Sequence, residues 1–204
     1  MTDKKIYEHE LINRFVKADS KKAFEELMSM YKDRVFRFGA RMCGHREDAE
    51  DVLQETLLSA YRNMDSFRGE GSFQSWLFKI ASSACLKKRR KRKHEPGREE
   101  SLDQLVEDRE DRIPAGTPDG ADGPVHEAEA GELARRLQSA LLGLPPIYRV
   151  VITLRDFEGL STEETAKVLD ISTTAAKVRL HRARTMLQKH VDCYDADKVG
   201  EDCG

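Results

Sequence analysis

Helical periodicity runs through this chain in two stretches and collapses between them, and the gap restricts the possible folds more than any other feature. From His94 to Gly131 the sequence carries Pro96, Pro114, Pro118 and Pro124, the glycines 97, 116, 120, 123 and 131, and many acids. Such a composition cannot bury enough apolar surface to offset the entropy of ordering the chain. Residues 94–132 are therefore expected to form a long flexible acidic linker. A loop of roughly 40 residues is rare inside one compact domain, so two domains on a tether are expected. The chain has 204 residues, 39% hydrophobic and 35% charged, which is lean for one large core and suits two small helical units. The fold class is all-α: residues 1–93, the linker, residues 133–190, and a polar tail from 191 to 204.

In the first stretch Leu11, Phe15 and Ala18 recur at helical spacing, and Asp19-Ser20 offers an N-cap for a helix carrying Ala23, Phe24, Leu27, Met28 and Tyr31. Gly44 reads as a helix stop. The next helix opens with Glu47 and Asp48, acids that favour the positive end of a helix dipole, and runs to about Met64. The segment from Asp65 to Ser72 reads as an exposed loop. A long helix then carries Phe73, Trp76, Leu77, Ile80, Ala81 and Ala84 into Lys-Lys-Arg-Arg-Lys-Arg-Lys at 87–93.

The strongest motif lies between Ser161 and Lys189. Ser161-Thr162-Glu163-Glu164 is a capping box, Asp170-Ile171-Ser172 a three-residue turn, and the following helix buries Ala176, Leu180, Ala183 and Leu187. Its other face carries Lys177, Arg179, His181, Arg182 and Arg184, the side chains a helix needs to enter a DNA major groove. An ordinary helical hairpin with a solvated basic face is the plainer reading of the same residues.

The net charge of −2 conceals the segregation of a basic run from an acidic linker, and a polyanion is the natural partner of the run. Aromatic residues just upstream of it suit capture of unpaired DNA, with core packing the competing role for each ring. Glu47, Asp51 and Glu55 fall at i, i+4 and i+8 with Asp48 beside them. The stripe reads as a docking face for a basic partner or as a merely solvated face. A carboxylate cluster can also serve a metal-dependent nuclease, but no His joins this one. Cys43, Cys85, Cys193 and Cys203 form no CxxC pair and no disulfide framework, so they suit a reducing cytoplasm. His190, Cys193 and Cys203 read as a frayed tail with free thiols, with a thiol or metal sensor as the alternative, and Cys43 and Cys85 as small buried hydrophobes. No apolar run is long enough to cross a bilayer, so no membrane insertion is expected.

These features, in this order, resemble the extracytoplasmic-function (ECF, group 4) RNA polymerase sigma factors, which keep only regions 2 and 4 of the sigma-70 family. Asp48-Ala49-Glu50-Asp51-Val52-Leu53-Gln54-Glu55-Thr56 is similar to the family's polymerase-binding stretch. Phe67-Arg68-Gly69-Glu70 and Trp76-Leu77-Phe78-Lys79-Ile80-Ala81 are similar to the segment that melts and reads the −10 element. Leu144-Pro145-Pro146, Asp156-Phe157-Glu158-Gly159-Leu160-Ser161 and Arg179-Leu180-His181-Arg182-Ala183-Arg184 resemble region 4.

The resemblance implies a sigma factor that binds core polymerase and directs promoter-specific initiation, is not an enzyme, needs no cofactor, and acts in the cytoplasm. Asp48, Asp51, Val52, Gln54 and Glu55 would dock on the β′ clamp helices, the β subunit would be a second partner, and the acidic linker would thread the polymerase near the active-site cleft and RNA exit path. Phe67, Arg68, Gly69, Ser72, Trp76 and Ser83 would take a −10 base, with Lys87, Lys88, Arg89 and Arg90 on phosphates. Ser83 stands where many members have Asn. Ser161, Thr162, Thr174, Ala175, Lys177, Val178, Arg179, His181 and Arg182 would meet the −35 element, with Thr174, Ala175 and Val178 where Gly, Thr and Ser are more usual. An anti-sigma factor is the expected regulatory partner. A free-standing helix-turn-helix regulator, a metal-dependent nuclease and an interaction-only adaptor are the competing readings.

Overall fold

The computed structural model describes the backbone of residues 3–18, 20–67, 69, 71–92 and 125–199, and the side chains of 6–17, 20–67, 69, 71–88 and 134–190. Arg68, the side chains of Arg89, Arg90 and Cys193, residues 93–124, and Cys203 lie outside the described residues. The described residues are helical, without strands.

The first region comprises α1 (Asp3–Ala18), α2 (Lys21–Ser29), α3 (Lys32–Cys43), α4 (Arg46–Asn63), a 3₁₀ turn (Met64–Ser66) and α5 (Phe73–Arg92). Local chemistry places the boundaries. Ser20 Oγ accepts the N–H of Ala23 at the start of α2. Gly44 ends α3 at φ 81, the left-handed conformation glycine adopts without a Cβ clash. Gly39 lets α3 cross α4 closely, since a Cβ there would lie 3.1 Å from the Ala49 Cα. The core gathers Leu11, Leu27, Val35, Phe38, Val52, Met64, Phe73, Leu77 and Phe78, all at most 1% exposed. Burying each of the larger side chains contributes roughly 2 kcal/mol.

The second region comprises α6 (Val125–Gly143), α7 (Pro146–Ile152), a π-helical turn (Thr153–Phe157), α8 (Thr162–Leu169) and α9 (Thr173–Val199). Pro146 starts α7, where a missing N–H costs nothing. The capping box forms in full: Ser161 Oγ accepts the Glu164 N–H at 3.0 Å, and Glu164 Oε2 accepts the Ser161 N–H at 2.9 Å. Asp170 turns the chain at φ 55, and Ser172 Oγ caps α9 by accepting the Ala175 N–H. Both ends of the region reach further than the sequence pattern predicts. Helix α6 begins at Val125, because Ala128, Glu129, Ala130 and Glu132 favour helix more than Gly131 opposes it, and α9 continues to Val199.

The two regions pack on each other. Helix α8 lies on α5, and α6 and α7 lie on the C-terminal half of α3. Arg149, 3% exposed, donates from Nη1 to the Met42 carbonyl at 2.7 Å and from Nη2 to the Leu144 carbonyl at 2.9 Å and to that of Leu142. Gln138 donates to the Ala40 carbonyl at 2.7 Å. The Arg149 bonds serve the Met42 and Leu142 carbonyls in the last turns of α3 and α6, where helical partners run out, whereas the Ala40 carbonyl also accepts the Gly44 N–H at 2.9 Å.

Candidate nucleic-acid and docking interfaces

The acidic stripe of α4 splits into two rows, because each residue turns the helix by about 100°. Asp51, Gln54 and Glu55 face solvent, whereas Val52 is fully buried and Asp48 is only 4% exposed. The basic end of α5 lies along the stripe. Lys88 Nζ is 3.2 Å from Asp48 Oδ1 and also meets Asp51 Oδ2, and Lys87 Nζ is 3.9 Å from Glu55 Oε1. The hydrogen bond to Asp51, with that to Asp48, raises the Lys88 pKa and holds its charge. Candidate docking residues and candidate phosphate-binding residues are thus one connected surface. Leu58, 45% exposed, adds an apolar element one turn beyond Glu55. The sequence reading passes over it, although its i+3 spacing from Glu55 is visible there.

Next to this surface the rings of Phe67, Phe73 and Trp76 pack with centroids 5.4–5.6 Å apart. Phe73 is buried; Phe67 and Trp76 are half-buried, each leaving one flank accessible. Trp76 and Lys79, Ser83 and Lys87 from α5 face Glu55 and Asn63 from α4 across an open groove of about 390 Å³. An aromatic flank, hydroxyl and amide groups, and cations at the rim are the chemistry that receives an unstacked base and its phosphate. Gly69 and Gly71 have φ of 74 and 111, and a Cβ at either would meet nothing within 4 Å, so the loop ahead of α5 stands open. Ser72 does not: its hydroxyl donates to Glu164 Oε1 at 2.7 Å, and Ser75 donates to the same oxygen at 3.1 Å. Burial works against the Glu164 carboxylate, but the bonds from Ser161, Ser72 and Ser75 outweigh it and hold its pKa below the usual value.

On α9, Thr174, Lys177, Val178, His181 and Arg182 are exposed, and Ala175 and Arg179 are half-buried. Val178 is 46% exposed, an apolar point within a polar face. Ser161 and Thr162, at the start of α8, are half-buried. Arg182 Nη1 lies 3.4 Å from the Tyr148 hydroxyl. Arg184 belongs to the scaffold: its Nε and Nη2 donate to the two Asp156 oxygens at 2.9 and 2.6 Å, tying α9 to the π turn.

Glu158 joins the two regions, and the sequence presents it only as part of a motif. It is 6% exposed, and its carboxylate meets Arg34 Nε at 3.1 Å and Arg41 Nη1 at 3.4 Å. Its carbonyl accepts from Arg34 at 2.8 Å and from Gln74 at 2.7 Å. Burial raises its pKa, and Arg34 and Arg41 pull against that. The Arg41 guanidinium also stacks 4.4 Å from the Phe157 ring. No local signal could have found these partners, since Arg34 and Glu158 are 124 positions apart. Among the described residues no group of three His, Cys, Asp or Glu stands ready to hold a metal, and no helix is long and apolar enough to cross a membrane.

Two family models match the chain, Sigma-70 region 2 over residues 27–95 and Sigma-70 region 4 over residues 134–187. The ECF RNA polymerase sigma-E factor of Haemophilus influenzae is 34% identical over 181 residues, 89% of this chain and 93% of that protein. The ECF RNA polymerase sigma factor SigW of Bacillus subtilis is 34% identical over 178 residues, covering 86% and 92%. In fold, the chain is similar to CnrH in its complex with the cytosolic domain of CnrY, with TM-score 0.65, 24% identity and coverage of 92% and 98%. It is also similar to the sigma factor RpoE of Bartonella quintana in complex with the anti-sigma factor NepR, with TM-score 0.62, 23% identity and coverage of 84% and 98%.

Proposed function

The chain belongs to the ECF sigma factors of the sigma-70 family, and from that membership we propose a division of labour among its residues. The protein binds core RNA polymerase and directs initiation at a particular set of promoters. It catalyses nothing itself, needs no cofactor, and works in the cytoplasm beside the polymerase that supplies the chemistry.

One observation carries the assignment of sites. The exposed acids Asp51 and Glu55 share a continuous surface with the groove of Trp76, Ser83 and Lys87. Asp51, Gln54 and Glu55 dock on the basic face of the β′ clamp helices, with Leu58 adding apolar contact, Val52 shaping the helix from inside and Asp48 holding Lys88. The groove receives a −10 base, Phe67 and Trp76 giving it a stacking flank and Lys87 and Lys88 taking phosphates. Arg68, Arg89 and Arg90 are assigned to the same strand by position in sequence.

The exposed face of α9 enters the −35 major groove. There Lys177, Arg179, His181 and Arg182 supply donors, and Val178 and Ala175 supply apolar contact suited to a thymine methyl. Ser161, Thr162 and Thr174 flank the phosphates. The acidic linker runs through the polymerase near the active-site cleft and RNA exit path, and the β subunit is a further partner. Splitting two modest DNA contacts between two regions gives avidity only when polymerase sets their spacing, so the free protein binds promoters weakly.

An anti-sigma factor is part of the reading. The contact between α5 and α8 already engages Ser72, a residue of the −10 set, so a partner that stabilised this arrangement would keep the −10 surface from DNA. The solved relative RpoE is seen with such a partner.

The test is transcription from a pooled promoter library with bacterial core polymerase, with and without this protein and its Asp51→Lys/Glu55→Lys variant. The expected result is a set of specific transcripts that require the protein and vanish with the charge reversal. Transcripts surviving the reversal would reject the docking face. Tight duplex binding by the protein alone, with no transcript, would favour a free-standing regulator.

A further inference from the structure

Contacts at matching heights run down the line where α3 packs on α5. The rings of Tyr31, just ahead of α3, and Phe73 are 5.5 Å apart, and those of Phe38 and Phe78 are 5.3 Å apart. The contacts come in the same order on both helices, so α3 and α5 run in the same direction. Cys43 follows Tyr31 by twelve positions, and Cys85 follows Phe73 by twelve. Equal advances along helices give equal rise, which brings Cys43 to the height of Cys85 counted from the first ring pair and to within about 3 Å of it counted from the second. The two thiols are hydrogen-bonded to each other, and neither is in a disulfide. Cys85 is 3% exposed, whereas Cys43 is half-buried in the last turn of α3, where the helix gives way to Gly44.

We propose that Cys43 and Cys85 form an oxidation site at which a peroxide converts the paired thiols into an intramolecular disulfide, stapling α3 to α5. Cys43, reachable from solvent, attacks one peroxide oxygen. The O–O bond breaks, and a sulfenic acid on Cys43 and one water result. The Cys85 sulfur then attacks the Cys43 sulfur. The S–O bond breaks, and the departing oxygen leaves as a second water carrying the Cys85 proton. Two electrons pass from the thiol pair to the peroxide.

The order of attack follows from the surroundings. The hydrogen bond with Cys43, and then burial, keep the Cys85 thiol protonated well above the ordinary range, so Cys85 is the resolving partner. The staple closes a loop that contains all of α4, the segment leading to Ser72 and α5 as far as Cys85, and so it encloses both the docking stripe and the walls of the groove apart from Lys87. Cross-linking removes freedom from the unfolded chain, and the oxidised protein melts higher than the reduced one.

The test uses the full chain as wild type, Cys43→Ser, and Cys193→Ser/Cys203→Ser. Each is treated with hydrogen peroxide, alkylated under denaturing conditions and digested with trypsin. The expected product is a reductant-sensitive species joining residues 42–46 to residues 80–87. It forms in wild type and in the tail variant, accompanied by a raised melting temperature that falls back on reduction. Cys43→Ser, verified as folded by circular dichroism, gives neither the linked peptides nor the shift. Recovery of Cys85 as a free thiol from oxidised wild type would overturn the proposal, whether Cys43 is found as a sulfinic acid or joined to a tail cysteine.

Discussion

Two groups of charges in this molecule, lysines on acids of the outer face and arginines on an acid and carbonyls between the regions, differ above all in their access to water. On the outer face Lys88 and Lys87 meet Asp51 and Glu55, acids whose side chains are 59% and 50% exposed. Between the regions Glu158, whose side chain is 3% exposed, meets Arg34 and Arg41, and Arg149 is buried on backbone carbonyls. An exposed pair gains little, because water and salt answer each charge almost as well as the partner does. Its members remain free to exchange partners, as a docking surface requires. A buried charge has no such alternative, so removing one partner strands the other. The outer group thus suits recognition, and the inner group determines how the two regions sit together.

The largest effect should come from Arg149→Ala, which strands the Met42 and Leu144 carbonyls and empties a buried site. We expect a loss of about 3 kcal/mol in denaturant unfolding, with reduced contact between the regions. An unchanged midpoint would break the contrast between inner and outer charges.

Glu158→Ala comes next, at about 2 kcal/mol, since Arg34 and Arg41 keep some solvent access. The double variant Arg34→Met/Glu158→Leu should recover only part of that loss, because the apolar pair needs no compensating charge but Arg41 still loses its acid. A double-mutant cycle measures the coupling.

Glu158 also gives the closed arrangement a pH dependence with a definite sign. Its pKa is raised when buried, so the closed form binds the proton more tightly than an open form would. Its contribution favours closure below the ordinary glutamate value and is lost as pH rises through the raised one. Scattering measurements of the radius of gyration across that window should show wild type expanding with rising pH, and Glu158→Gln losing this component. Glu164, with its lowered pKa, contributes in the opposite sense, present above the ordinary value and lost as pH falls through the lowered one.

The smallest effect should be that of Lys87→Gln on stability, less than about 1 kcal/mol and shrinking with added salt, because Lys87 and Glu55 are both exposed. The same substitution should weaken −10 DNA binding by the polymerase complex, measured by filter binding. A large stability loss from Lys87→Gln would break the contrast between exposed and buried pairs.

Much of the fold was legible in the sequence because its signals are local. Ser20, Gly44, Ser161 with Glu164, and Ser172 each act on backbone groups within a few residues, so their caps and stops follow from spacing alone. The apolar periods around Phe24, Val52, Leu77 and Leu180 likewise named the buried faces. The candidate site was legible in part. The basic face of α9 and the acids of α4 could be read off a helical wheel, whereas Leu58 was overlooked and Asp48 was grouped with the exposed acids.

What the sequence alone determined is the set of helices, those of their ends that carry a local cap or stop, the helix-turn-helix and the family. The tertiary structure decided which charges meet. It turned Asp48 inward onto Lys88, gave Ser72 to Glu164, set Glu158 between Arg34 and Arg41, and brought Cys43 to Cys85. The physical reason is range. A cap or an amphipathic period is fixed by residues a turn or two away, whereas these pairs form only after helices distant in the chain have packed and excluded water between them.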